Sequence, residues 1–317
     1  MILKKTILLL LFSSISVSVG CYLNTKPKKN PAEKMQDFII NISDYTRKIN
    51  PNFIIIPQNG AELAFENGKT DKKLDQKFLE AIDGFGIEEL FYNGELKPDT
   101  YRIDLLSKIK ESETIIVSEF VKDTALVKDS YERNEKSGFL CFTRTEENYH
   151  YTLIPTKVHN ENKNNVEKLS DIKNFLYIIN NSNYYSKSAF ITALKNTNYD
   201  LIFIDLYHNG VQFNKEEIEK LKIKKNGGKR LVVGYMNIGA AEKYRTYWRR
   251  DWKINNPKWL KKPYKDYDQE IWVEYWNSEW QDIIYGNDNS YAKKIVDTGF
   301  DGVYLDNVEA YYFLYND

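Results

Sequence analysis

The chain is poor in the residues that build metal sites and disulfide frameworks. Its 317 residues include two cysteines and three histidines. His150, His159 and His208 stand at no metal-ligand spacing, so neither a metal nor another cofactor is expected. Two cysteines, one of them in the leader described below, provide no disulfide framework. Net charge is missing too: Lys+Arg and Asp+Glu both total 45, which argues against a nucleic-acid partner held by a broad electrostatic field. Beyond the N-terminal leader, no run approaches the ~20 continuous apolar residues of a membrane span.

What is present bounds the class. A hydrophobic content of 42% permits a full core. The length is close to that of one elaborated (β/α)8 barrel of roughly 250 residues. Aromatics reach 15%, which reads either as a groove that stacks sugar rings or as a compositional bias shared with the abundant Lys, Asn and Ile. At the N-terminus, Lys4 and Lys5 precede an apolar run from Thr6 to Val19, then the small residue Gly20 and Cys21. That order predicts a secretory signal over residues 1–21. Ser18-Val19-Gly20 before Cys21 further resembles a bacterial lipoprotein signal, in which Cys21 would carry lipid and anchor the protein to a membrane. An ordinary cleaved signal or an uncleaved anchor is the alternative. Either way the expected location is extracytoplasmic, with residues 22–34 a flexible tether.

From Met35 onward, helices and buried strands alternate. Met35, Phe38, Ile39, Ile42, Tyr45 and Ile49 mark one helical face, and Phe53 to Pro57 reads as a buried strand. Strand-like runs follow at Ile82–Ile87, Thr114–Ser118 and Phe139–Phe142, each after a helical segment. A polar linker, residues 156–170, precedes a second series: Phe175–Ile179, Asp200–Asp205, Arg230–Asn237 and Gly302–Asp306. Continuous apolar strands separated by helices predict a parallel sheet buried on both faces. Four strands before the linker and four after it predict an α/β fold, a (β/α)8 TIM barrel over residues 35–317, with an open doubly wound sheet as runner-up.

Three stretches of the later half carry a resemblance. They are Tyr235-Met236-Asn237-Ile238-Gly239-Ala240-Ala241-Glu242, then Tyr275-Trp276-Asn277-Ser278, then Gly299 to Tyr311. Two of the earlier half, Phe53 to Gly60 and Ile82 to Tyr92, carry it as well. Together they resemble the TIM-barrel family grouped as glycoside hydrolase family 114, whose characterised members are secreted endo-α-1,4-polygalactosaminidases. The resemblance implies a glycosidase acting on a cationic amino-sugar polysaccharide. The two halves occur in the reverse of the family's order, as in a circular permutation, so residues 31–36 should lie beside residues 312–317. The family carries Glu where this chain has Tyr304. Either Asp306 takes over that role, or the substrate differs, or the protein is a degenerate surface lipoprotein that binds a glycan or protein partner without cleaving it.

In a barrel, residues at the C-terminal ends of the strands face one cleft. Those residues are Asp205, Asn237 with Glu242, Asp306, Gln58 with Asn59, Glu88 and Glu119, with Glu274 close by. Glycoside hydrolysis needs one carboxyl protonated and one ionised. The pairing expected here is Asp306 as nucleophile or base with Glu242 as acid, and Asp205 as a third, positioning carboxylate. Glu274, Asn237, Tyr235, Tyr177, Gln58, Asn59 and Glu88 are the expected substrate contacts. Each has a plainer reading: Asp306 and Glu242 as helix-start residues, Asp205 as an internal ion pair, the tyrosines as core packing.

Overall fold

The computed structural model describes residues 29–146, 149–265 and 267–315. The expected signal, the lipidation site Cys21 and most of the tether lie outside the described residues.

Helix α1 (Pro31–Ile49) starts where the sequence provides a complete cap. The Asn30 side chain accepts from Glu33 N–H, the Glu33 carboxylate accepts from Asn30 N–H, and Pro31 opens the first turn. Its buried face is Met35, Phe38, Ile39 and Ile42 of the face read from the sequence, while Ile49 at the helix end is exposed. Then come β1 (Ile54–Pro57), α2 (Gln76–Leu79), β2 (Gly84–Leu96), α3 (Thr100–Ile109), β3 (Thr114–Val121), α4 (Val127–Ser137) and β4 (Leu140–Arg144). The second series is β5 (Phe175–Tyr177), α5 (Lys187–Lys195), β6 (Leu201–Asp205), a small hairpin of β7 (Tyr207–His208) and β8 (Val211–Gln212), α6 (Lys215–Leu221) and β9 (Leu231–Asn237). It continues with β10 (Ala240–Glu242), β11 (Leu260–Pro263), β12 (Glu270–Val273), α7 (Ser278–Ile284), α8 (Tyr291–Thr298), β13 (Gly302–Asp306) and α9 (Ala310–Phe313).

The principal strands form two parallel sheets. One has the order β1-β13-β9-β6-β5, the other β2-β3-β4. A single bridge, Gln58 to Gly86, links β1 to β2. Between β4 and β5 no ladder forms among the described residues, and Phe142 and Phe175 pack there with ring centroids 5.8 Å apart. The fold is therefore α/β with parallel sheets, and among the described residues these sheets do not close into a barrel. Between Gly239 and Trp276 the chain forms a small antiparallel sheet, β10-β12-β11, lying over the end of β9. Strand β2 runs past its expected end at Ile87 because a bulge between Glu88 and Asn93 lets the pairing resume.

One close approach governs the interior. A Cβ on Gly86 would lie 2.1 Å from the Tyr304 hydroxyl oxygen, so the aromatic ring of β13 occupies space that only glycine leaves on β2. Tyr304 packs there against Phe203 at 4.6 Å and Tyr177 at 5.2 Å between ring centroids.

The linker is held to the sheet. Asn162 Nδ2 donates to Asp200 Oδ2 (2.9 Å), and Lys224 Nζ donates to Asp200 Oδ1 (2.8 Å), both charged side chains being fully buried. Lys173 N–H completes the carboxylate's shell at 2.8 Å. Removing one partner of a buried pair strands the other charge. Lys224→Met is therefore expected to lower unfolding free energy by about 3–5 kcal/mol in a urea titration, far beyond the effect of replacing a surface lysine.

Candidate functional site

The parallel strands deliver their C-terminal ends to one acidic surface. Asp306 ends β13, and its register partner on β9 is Asn237. The Tyr235 hydroxyl donates to Asp306 Oδ2 at 2.5 Å and Asn307 N–H donates to Oδ1 at 2.7 Å. Burial pushes this carboxyl up to about 7, helped by the charges of Glu88 and Glu242 and opposed by those two donors.

Glu88 lies where β2 bulges. Its N–H donates to Asn59 Oδ1 (3.2 Å) and its carboxylate accepts from the Tyr151 hydroxyl. Burial raises its pKa against the pull of the Arg144 charge and the Tyr151 hydroxyl. Among charged neighbours, Glu88 acts on Asp306 more strongly than Glu242 does. Gln58 lies beside both, its Oε1 accepting from the Tyr177 hydroxyl at 3.1 Å. Asp306, Tyr235, Asn237, Gln58, Tyr177 and Glu88 are thus brought together.

Asp205 and Glu242 belong to a different arrangement. Arg245 grips Glu242 through Nε to Oε2 (2.6 Å) and Nη2 to Oε1 (3.0 Å), and reaches Asp205 Oδ2 with Nη1 (2.6 Å). The Tyr244 hydroxyl also donates to Glu242, and Tyr207 N–H donates to Asp205 Oδ1 at 2.7 Å. Both oxygens of Glu242 thus accept charge-assisted bonds from Arg245. The expected acid is instead half of a buried, bidentate ion pair that shapes the loop after β9. Asp205 is its counterpart, its pKa raised by burial in spite of Arg245.

Three other expectations find different roles. Glu274, just past the end of β12, pairs with Lys261 at 3.2 Å, and its N–H bonds the Trp259 carbonyl. Asn59, at φ 59°, is a turn residue that fixes Glu88 rather than an open contact. Glu119 is fully buried, accepting from Phe91 N–H, Tyr92 N–H and Asn134, and so supports the β2 bulge instead of facing a cleft.

Two carboxyls were missed. Glu270 on β12 is the register partner of Glu242. Its Oε2 accepts from Asn237 Nδ2 (3.1 Å) and Asn307 Nδ2 (3.3 Å), the residues on either side of Asp306. Burial, with the Glu242 and Asp306 charges, pushes it up to about 8. Glu309, just past β13, is pushed up to about 7 by burial. The only sequence signal for Glu270 was a polar stretch ahead of Trp272, which also describes an ordinary loop. Among the described residues, no three of His, Cys, Asp and Glu gather as a metal-ligand set.

A carboxyl protonated more readily in the folded chain than in the unfolded one stabilises the fold at low pH. That contribution is complete below the unfolded value of about 4 and is lost as pH rises through the folded value. The thermal midpoint of the wild type, measured against Asp306→Asn, should therefore fall as pH rises from about 4 to about 8, following the Asp306 carboxyl near 7.

The family profile described as glycoside-hydrolase family GH114 matches residues 156–317. Uncharacterized protein MJ1477 of Methanocaldococcus jannaschii is 37% identical over 162 residues, 49% of this chain and 44% of that protein. An uncharacterized protein of Thermotoga maritima is 31% identical over 128 residues, 40% of this chain and 38% of its own length. One of Deinococcus radiodurans is 38% identical over 82 residues, 26% of this chain and 25% of its own. The match spans less than half the length of each of these relatives.

Proposed function

This chain belongs to glycoside-hydrolase family GH114, and on that premise we propose that it cleaves an amino-sugar polysaccharide with Asp306 and Glu88 as its carboxyl pair. The observation that carries the pair is their common position. Asp306 ends β13 and Glu88 stands where the first run of β2 pairing stops at the bulge; both are half-buried, each is raised by burial, and Glu88 is the strongest charge on Asp306. Two interacting carboxyls that resist simultaneous ionisation keep one protonated at neutral pH, which is what glycosidic cleavage requires. Asp306, stabilised as an anion by Tyr235 and Asn307 N–H, is the nucleophile or base. Glu88 protonates the leaving oxygen. The surplus of carboxylates suits a cationic sugar, in keeping with a polygalactosamine-like polymer.

The barrel and its permuted order belong to the same proposal. The parallel pairing of β1 with β13, the packing of α1 on α9, and the bond from Tyr275 hydroxyl to Pro31 carbonyl (2.6 Å) support them. So does the family match confined to residues 156–317. An extracytoplasmic location with Cys21 lipidated completes the reading. Tyr304, where the resemblance expects Glu, favours the second reading of a glycan-binding protein without activity.

Reducing-end release from a panel of galactosamine and glucosamine polymers separates the two. Asp306→Asn and Glu88→Gln should each lower it by about 10²–10⁴-fold, while Glu274→Gln, at the Lys261 ion pair, should leave it within twofold or so. A wild type that binds these polymers and releases nothing supports the second reading and ends the first.

A further inference from the structure

Beside the carboxyl cluster, between the turn after β10 and strands β11 and β12, lies a groove of about 620 Å³. Trp248, Trp252, Ile254, Pro263, Glu270 and Ile271 are among the residues that line it. Glu270 is also the carboxyl held by Asn237 and Asn307, so it is a wall common to the groove and to the Asp306 site. The aromatic rings are braced from behind. Trp252 meets Trp248 edge-on at 5.4 Å and the buried Trp259 at 4.9 Å, and Trp259 rests on Trp280 at 5.1 Å. The rim is polar, with Lys243 donating to the Asp268 carbonyl at 2.6 Å.

We propose that this groove is a sugar-binding subsite that receives a further unit of the same polysaccharide whose linkage lies at Asp306, with Trp248 and Trp252 as its aromatic wall. Three features select a sugar over another occupant. The volume is in the range of small-ligand sites of roughly 300–1,000 Å³. Its lining joins tryptophan and aliphatic surface with carboxylate, amine and carbonyl groups at the edge, the combination that a ring with one apolar face and a girdle of hydroxyls needs. Its continuity with the cluster through Glu270 means that a chain lying across Asp306 runs into it. A half-buried tryptophan already fixed by its neighbours loses little freedom when a ring stacks on it.

The subsite rests on the hydrolase reading, and one experiment distinguishes failure of either. Asp306→Asn protein, which retains the chain but not the cleavage, is titrated with two-unit and eight-unit oligomers of galactosamine and of N-acetylgalactosamine, following tryptophan fluorescence and calorimetric heat. Trp248→Ala in that background should weaken eight-unit binding about tenfold, and Trp248→Phe, which keeps a ring, should restore most of it. Circular dichroism of both variants checks that the fold is kept. If the Asp306→Asn parent binds the eight-unit oligomer and Trp248→Ala binds it equally well, the subsite is wrong and the hydrolase reading stands. If the parent binds neither series, the amino-sugar reading falls and takes the subsite with it.

Discussion

One guanidinium has to answer for two buried carboxylates, and the acidic end of the molecule is divided by that fact. Arg245 spans Asp205 and Glu242 with charge-assisted bonds, which offset part of the cost of burying the two groups. Asp306 and Glu270 receive their bonds from neutral donors instead: a phenol, an amide N–H and two carboxamides. Neutral donors offset only part of the desolvation, so these carboxyls rise toward neutral pH. Carboxyls of the same kind are thus held by a guanidinium on one side and by neutral donors on the other.

The floor beneath this surface is aromatic. Tyr177 packs on Tyr151 at 4.1 Å and on Tyr304 at 5.2 Å, and Phe203 closes the group from β6. These rings exclude water from below, and their hydroxyls point the few available donors at Gln58 and Glu88. The abundance of tyrosine thus has a local use: apolar bulk and a polar tip at the same position. A glutamate at position 304 would add one more charge to this floor. Tyr304 adds volume instead, and the carboxyls above it lose solvent.

Much of this was legible in the sequence. Val303-Tyr304-Leu305 and Leu201–Ile204 are continuous apolar runs that can be satisfied only inside a parallel sheet, and both are buried as such. Asp306 at the end of such a run was found for the same reason. What escaped depends on register and on loop geometry. Glu270 matters because antiparallel pairing sets it opposite Glu242 and beside Asn307, and no local pattern encodes a partner 28 residues away. Glu242 was given the acid's role because its sequence position fits. The grip of Arg245, three residues on, became visible only when the turn after β10 closed the distance. Glu119 looked like a strand-end acid until the β2 bulge turned two backbone N–H groups onto it.

The contact between Gly86 and Tyr304 has a consequence for how such a protein can drift. A side chain at 86 and an aromatic ring at 304 exclude each other, since even a methyl group at 86 would lie 2.1 Å from the ring's oxygen. Shrinking 304 while keeping glycine at 86 leaves a hole beneath the carboxyls, and enlarging 86 first expels the ring. Neither single step preserves the floor. The two positions form an epistatic pair on neighbouring strands, so substitutions there should be inherited together or not at all.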